Sequence, residues 1–276
     1  MRALVLSGGG SHGAYENGAI QWLLGKKAVK YDLLCGISVG ALNCALLSMF
    51  PLGLEKTAAL ALQTLWDGID SNSKIFKEHI PFGRLQTPWK SSVVNSQPLL
   101  DLINKQYSST RTREAKRKLV VGAVSLSTGY YTEFNEEHPH IKKAVQASSA
   151  YPVFFKPVAF DNQLWSDGGI KTIAPLDAAV HSGATEIDVI VTGPTHSPYW
   201  GHANPNALEI ALRVLDLTYE EVLNDDLHAC LTKFPKTKIT VLRPKATLPG
   251  LSIDFGNPNR AIMEELGYAD AQVTWP

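Results

Sequence analysis

Cysteine is scarce in this chain: among 276 residues only Cys35, Cys44 and Cys230 carry a thiol. An odd count without a CxxC pair argues against a disulfide framework and against the usual zinc spacings, and points to reduced thiols packed as small hydrophobes. Excess charge of either sign is missing too. Lys+Arg and Asp+Glu both number 26, a formal net charge of zero. That removes the basic footprint of a nucleic-acid binder and any strong general attraction to anionic membranes. Long apolar runs are also lacking. The run after Met1 is too short for a signal-peptide core. Ala41 to Leu54 is broken by Asn43, Ser48, Pro51 and Gly53, short of the roughly 20 residues that span a bilayer. A soluble, cytoplasmic chain is the expectation, with peripheral membrane contact or non-classical export left open.

What the chain does contain is alternation. Short apolar strands are predicted at Ala3 to Leu6, Tyr31 to Cys35, Leu119 to Val124, Ile187 to Val191 and Ile239 to Leu242. Helical patterns run from Gly13 to Lys26, from Val39 towards Met49, and over Leu54 to Trp66, Pro139 to Ser149 and Pro175 to Ser182, and again in the tail from Arg260. This order favours a mostly parallel sheet covered on both faces. The longest helix, Asn206 to Leu231, carries Leu208, Leu212, Leu215, Tyr219, Val222 and Leu227 on one stripe. Residues 70–117 lose the periodicity and hold scattered aromatics. They are read as a cap inserted into one α/β domain spanning residues 1–276. Within it, Arg111, Arg113, Lys116, Arg117 and Lys118 suit a solvated face or a lipid-headgroup contact.

Three glycine-rich segments carry chemistry. Gly36-Ile37-Ser38-Val39-Gly40 is a GxSxG between a short strand and a helix. A nucleophile on such a sharp turn needs side-chain-free neighbours two positions away, because the backbone folds back there. The turn exposes the Ser38 hydroxyl and aims the first N–H groups of the helix at a reacting carbonyl. Gly8-Gly9-Gly10-Ser11-His12-Gly13 also joins a strand to a helix, and its glycines let backbone N–H groups approach negative charge. The same six residues fit GxGxxG. A dinucleotide site, however, wants an acidic residue after the second strand, whereas Asp32 precedes that run and Gly36-Ile37-Ser38 follows it. Asp167-Gly168-Gly169 by itself is the composition of a turn.

In this order and spacing, the Gly-rich loop, the GxSxG and the later DGG resemble the patatin-like phospholipase family. Ala147-Ser148-Ser149-Ala150-Tyr151-Pro152 ahead of the DGG and Pro175-Leu176 after it extend the likeness, which runs from residue 1 to about 192, with a familiar tail from Asp254 to Ala271. The resemblance implies a three-layer α/β/α sandwich with a mostly parallel sheet and hydrolysis of acyl esters of lipids or phospholipids, with no metal and no other cofactor. It implies Ser38 as nucleophile and Asp167 as its partner. Gly8, Gly9 and Gly10 would form the oxyanion hole with the Val39 N–H, and Gly13, Gly36, Gly40, Gly168 and Gly169 would support the motifs. One position departs: the family's usual Arg or Lys is His12 here, whose charge titrates near neutrality and would tune the oxyanion loop.

Alternatives remain at this point. The order Ser38, Asp167, then His181, His196 or His202 permits a Ser–His–Asp triad of the α/β-hydrolase type. A non-catalytic dinucleotide module is the other. His79, His138, His140 and His228 show no metal spacing. If Asp167 is the base, burial should raise its pKa, and activity is expected to persist below pH 6. Phe76, Phe82 and Trp89 of the cap, with Tyr199 and Trp200 of the Gly193 to Asn206 loop, are expected to rim an apolar acyl-binding cleft.

Overall fold

The computed structural model describes residues 1–79, 90–196, 201, 203–256 and 258–276. Phe82, Trp89, Tyr199, Trp200 and His202 lie outside the described residues, as does the side chain of Leu208.

Eight strands form one mixed sheet: β1 (Arg2–Leu6), β2 (Leu33–Gly36), β3 (Lys118–Ser125), β4 (Tyr131–Asn135), β5 (Val158–Phe160), β6 (Gln163–Asp167), β7 (Glu186–Ile190) and β8 (Lys238–Leu242). The path is β5-β6-β3-β2-β1-β7-β8, with β4 paired on β3. From β3 through β8 the pairs are parallel, and β4, β5 and β6 add an antiparallel arm. Alternate residues of the central strands point to opposite faces, as a pleated strand requires. Leu4, Leu6 and Leu34 face one core; Ala3, Val5, Leu33 and Cys35 face the other. The first core is covered by α1 (Gly13–Ile20, continued by a π turn to Lys26), α2 (Val39–Ser48), α3 (Glu55–Asp67), α6 (Ile141–Ser148) and α9 (Asn259–Thr274). The second is covered by α7 (Leu176–His181) and α8 (Ala207–Lys233). The result is the three-layer α/β/α arrangement.

The register places the chemistry. Val120 and Val121 of β3 pair with both β2 and β4, whereas Ala123 and Val124 pair with both β4 and β6. β2 and β6 therefore share one edge of β3, end to end. Gly36 is opposite Val121 and Asp167 is opposite Ala123, so the DGG turn abuts the end of the strand that leads into Ser38. The sequence pattern showed neither β4 nor β6, because both are short and mix polar with apolar residues.

The segment 70–117 holds α4 (Gln97–Gln106) and α5 (Ser109–Ala115). Its apolar side chains pack inward: Ile75, Phe76, Leu99 and Ile103 are buried in the first core. Phe76 rests edge-on against Phe154 at 5.1 Å rather than standing at an exposed rim. In the basic run, Arg111, Arg113, Lys116 and Lys118 are exposed, but Arg117 is buried and pairs with buried Glu55 at 3.0 Å. The three thiols are free and buried. Among the described residues, no helix is long and apolar enough to cross a membrane.

Candidate active site

Ser38 sits between β2 and α2 at φ 54°, ψ −124°, a left-handed conformation that a side chain normally avoids. The turn is tight on both sides. A Cβ on Gly36 would collide with the Gly40 carbonyl, and one on Gly40 with the Leu6 carbonyl, so only glycine fits at either position. The strained residue is braced from α6 and the segment after it. Ser38 N–H donates to Ser148 Oγ at 3.0 Å, and Ser149 Oγ donates to the Ser38 carbonyl at 3.3 Å. The same segment holds the other half of the site, since Asp167 N–H and Ser166 Oγ both donate to the Ala150 carbonyl (3.1 and 2.8 Å). These serines belong to the motif quoted from sequence, but their bracing depends on tertiary contacts that spacing does not reveal.

The Gly-rich loop arches over this turn. Gly8 approaches closest: a Cβ there would lie 3.3 Å from Ser38 Cβ. Its N–H is engaged, donating to the Ile173 carbonyl at 3.0 Å, and its carbonyl accepts from Thr192 Oγ1 at 2.7 Å. Gly8 is thus a tether. At the following helix start, Ser11 N–H goes to Ser252 O and His12 N–H to Gly9 O. The first N–H groups of a helix have no partner in its own ladder, and those of Gly9, Gly10 and Val39 make no other backbone hydrogen bond among the described residues. Gly13 lies against Val39, where a Cβ would collide with the valine side chain.

Asp167 is 1% exposed. Its Oδ1 accepts the Gly169 N–H at 2.8 Å, while Oδ2 is buried and accepts no hydrogen bond among the described residues. Burial pushes the carboxyl up to about 7, opposed by the Gly169 N–H and by the Ser38 hydroxyl, which faces the carboxylate without completing a bond on Oδ2. Such contacts are commonly loose before substrate arrives. Gly168 packs against the Gly122 carbonyl, a place no side chain could occupy. The expected rise on burial is present, and a carboxyl near 7 does not favour the activity expected below pH 6.

Two cavities meet at Ser38, sharing Gly10, Ser149, Phe155 and Phe255. One is almost wholly apolar, walled by Leu42, Leu46, Trp66, Leu99, Leu102 and Ile103. The other is the more polar of the two, with Asp167, Tyr151, Arg213, Asp216 and Tyr219 set among apolar walls such as Ile173, Leu223, Leu248 and Leu251. Arg213, Asp216 and Tyr219 come from α8, where the sequence pattern assigned Tyr219 to a packing stripe. Helix α8 also braces the loop beneath the site, as Asp226 Oδ2 accepts the N–H groups of Ile173 and Ala174 at 2.7 and 2.9 Å.

Among the described residues, His12 is the one histidine that lines either cavity. Its Nε2 faces the Gly250 carbonyl at 3.3 Å, and desolvation holds its pKa below the ordinary imidazole value. That shift disfavours the positive charge which the Arg or Lys of the resemblance would carry at this place. His181 packs edge-on against Phe234 at 5.8 Å, and His196 is exposed beside Glu220. Neither reaches Ser38, so neither completes a triad here. Asp32 accepts the Arg2 N–H at 2.9 Å at the opposite end of β2, which leaves the GxGxxG loop without the acidic residue a dinucleotide needs. No group of three or more metal-ligating side chains occurs among the described residues.

Comparison with known proteins agrees with this geometry. A family model described as patatin-like phospholipase matches residues 4–180. The chain is 30% identical over 186 residues to a cGAMP-activated phospholipase of Pseudomonas aeruginosa, covering 62% of this chain and 53% of that protein. It is 25% identical over 207 residues to human calcium-independent phospholipase A2-gamma, covering 66% of this chain and 26% of that protein. A probable lipid hydrolase of invertebrate iridescent virus 6 is 24% identical over 189 residues, covering 65% and 63%. The chain thus spans from about a quarter to under two thirds of the length of these relatives. Among solved structures, VipD from Legionella pneumophila aligns over 99% of this chain and 66% of its own, at 16% identity and a TM-score of 0.47.

Proposed function

Because the chain belongs to the patatin-like phospholipase family, we propose that it hydrolyses acyl esters of lipids, with Ser38 as nucleophile and Asp167 as the base that activates it. The observation that carries this reading is the meeting of a strained, half-buried serine, a buried carboxyl lifted to about 7 and an apolar cavity at one point.

In acylation, Asp167 Oδ2 takes the Ser38 proton as Oγ attacks the ester carbonyl. The N–H groups of Gly9, Gly10 and Val39 receive the charge that develops on the carbonyl oxygen. Losing one donor of this kind typically costs about 10²–10³ in turnover. Collapse expels the alcohol, protonated by Asp167, and leaves an acyl-Ser38 ester. Water then attacks that ester with Asp167 again as base. The apolar cavity takes the fatty acyl chain, and the polar cavity takes the alcohol side of the substrate. Contact with lipid is peripheral in this proposal. The three free, buried thiols suit a reducing, cytoplasmic setting.

Fatty-acid release from a panel of phospholipids and neutral acylglycerols, by the intact protein and by Ser38→Ala, tests the proposal. Release by the former alone supports it. Equal release by both, or none by either across the panel, overturns it.

A further inference from the structure

Helix α8 lies beyond residue 180, outside the segment that the family model matches, yet it builds one wall of the polar cavity. From that wall comes Tyr219, whose hydroxyl is buried and makes no hydrogen bond among the described residues. Asp167 Oδ2 is in the same condition. The Tyr151 hydroxyl, in the lining of the same cavity, is a third. Buried polar atoms are nearly always paired, so such a group of orphans calls for a shared ligand.

They do face a shared space. A methyl built on Gly169 would sit 3.1 Å from Asp167 Oδ1 and 3.5 Å from Tyr219 Cζ. Ile173 Cδ1 lies nearer still to that methyl position, at 2.8 Å, and both Asp167 and Tyr219 line the cavity that reaches Ser38. The Tyr219 ring is held edge-on by Tyr151, with centroids 5.7 Å apart and planes at 81°, so the hydroxyl is aimed by packing.

We propose that Tyr219 is a catalytic residue of the deacylation step: its hydroxyl and Asp167 Oδ2 together hold the water that attacks the acyl-Ser38 ester. The inference rests on the proposed role of Ser38 and Asp167. The phenol donates its O–H to the water oxygen, and the water donates one of its own to Asp167 Oδ2. A lone pair is left for the acyl carbon. As the new C–O bond forms, the water proton moves to Asp167. As the tetrahedral adduct collapses, the bond from carbon to Ser38 Oγ breaks and that proton passes to Oγ. The fatty acid leaves and Ser38 is restored. Burial, with the Asp167 charge as the strongest neighbouring influence, holds the phenol pKa far above its ordinary value, so Tyr219 stays a donor throughout.

The test is Tyr219→Phe, which removes only an unbonded hydroxyl and keeps the ring against Tyr151. With a 4-nitrophenyl ester the leaving phenolate needs no proton, so stopped-flow release of the first equivalent reports acylation alone. Decay of the acyl-Ser38 adduct, followed by acid quench and intact mass, reports deacylation. The variant should acylate within about twofold of wild type and deacylate about tenfold more slowly, the loss of one positioned hydrogen bond. Its adduct should accumulate further, and its melting temperature should stay within a few degrees of wild type. Equal deacylation rates in the two proteins, or equal slowing of both steps, overturns the role of Tyr219 while leaving Ser38 as nucleophile. An adduct on Ser38 in neither protein overturns the dyad, and this proposal with it.

Discussion

Asp167→Asn should stabilise the fold, and the gain should grow with pH. Burial lifts the Asp167 carboxyl to about 7, whereas an aspartate in the unfolded chain titrates near 3.9. A folded pKa above the unfolded one means the carboxyl contributes fully below about pH 4 and loses its contribution as pH rises through about 7. A rise of about three units, at about 1.36 kcal/mol per unit, amounts to about 4 kcal/mol by pH 8. Asparagine is the same size, carries no charge and keeps an oxygen for the Gly169 N–H. Urea unfolding of both proteins at intervals from pH 4 to pH 8 should show the difference in stability widening by about that amount in favour of the variant. Asp216 and Asp226, lifted by burial to about 6 and about 7, are present in both proteins and drop out of the comparison. A difference that stays constant over this range, or that shrinks as pH rises, would refute the claim that the site holds its base at the expense of folding. The more stable variant should be inactive, the trade-off expected where function needs a desolvated charge.

With Asp167 as the proposed base, kcat/KM should fall about tenfold per pH unit below about 7, read from a pH–rate profile with a neutral ester. His12→Gln should keep that acidic limb and most of the activity, because desolvation already disfavours a charge on His12; a loss above about 10³ would make His12 the base instead. Leu102→Trp narrows the apolar cavity, so it should lower kcat/KM about tenfold for long acyl chains and leave butyryl esters within about twofold; equal loss on both would mean that no acyl chain enters there.

The parts of the site legible in the sequence are those whose constraint is local. Gly36 and Gly40 are glycine because carbonyl oxygens occupy the space of a side chain, and a GxSxG between strand and helix announces that geometry directly. The nearness of Ser38 and Asp167 is another matter. It arises because β6 continues the edge that β2 vacates on β3, and a five-residue strand of mixed polarity gives no periodic signal. Tyr219 is a different case. Its helical spacing matched a packing stripe, and it does pack against the second core with Val222 and Leu227, but it also lines the more polar cavity, which spacing does not show. Arg117 is similar: within a basic run nothing distinguishes the one residue that points inward to Glu55. Periodicity reports which face of an element is covered and leaves open whether protein or substrate covers it.

The central claim is that Ser38 is the covalent nucleophile. The direct measurement is reaction of the intact protein with a fluorophosphonate ester, followed by intact mass and peptide mapping of wild type and Ser38→Ala. The geometry predicts one adduct per chain in wild type, mapped to Ser38, and none in the variant. An adduct that persists in Ser38→Ala, or maps to another residue in wild type, would contradict it.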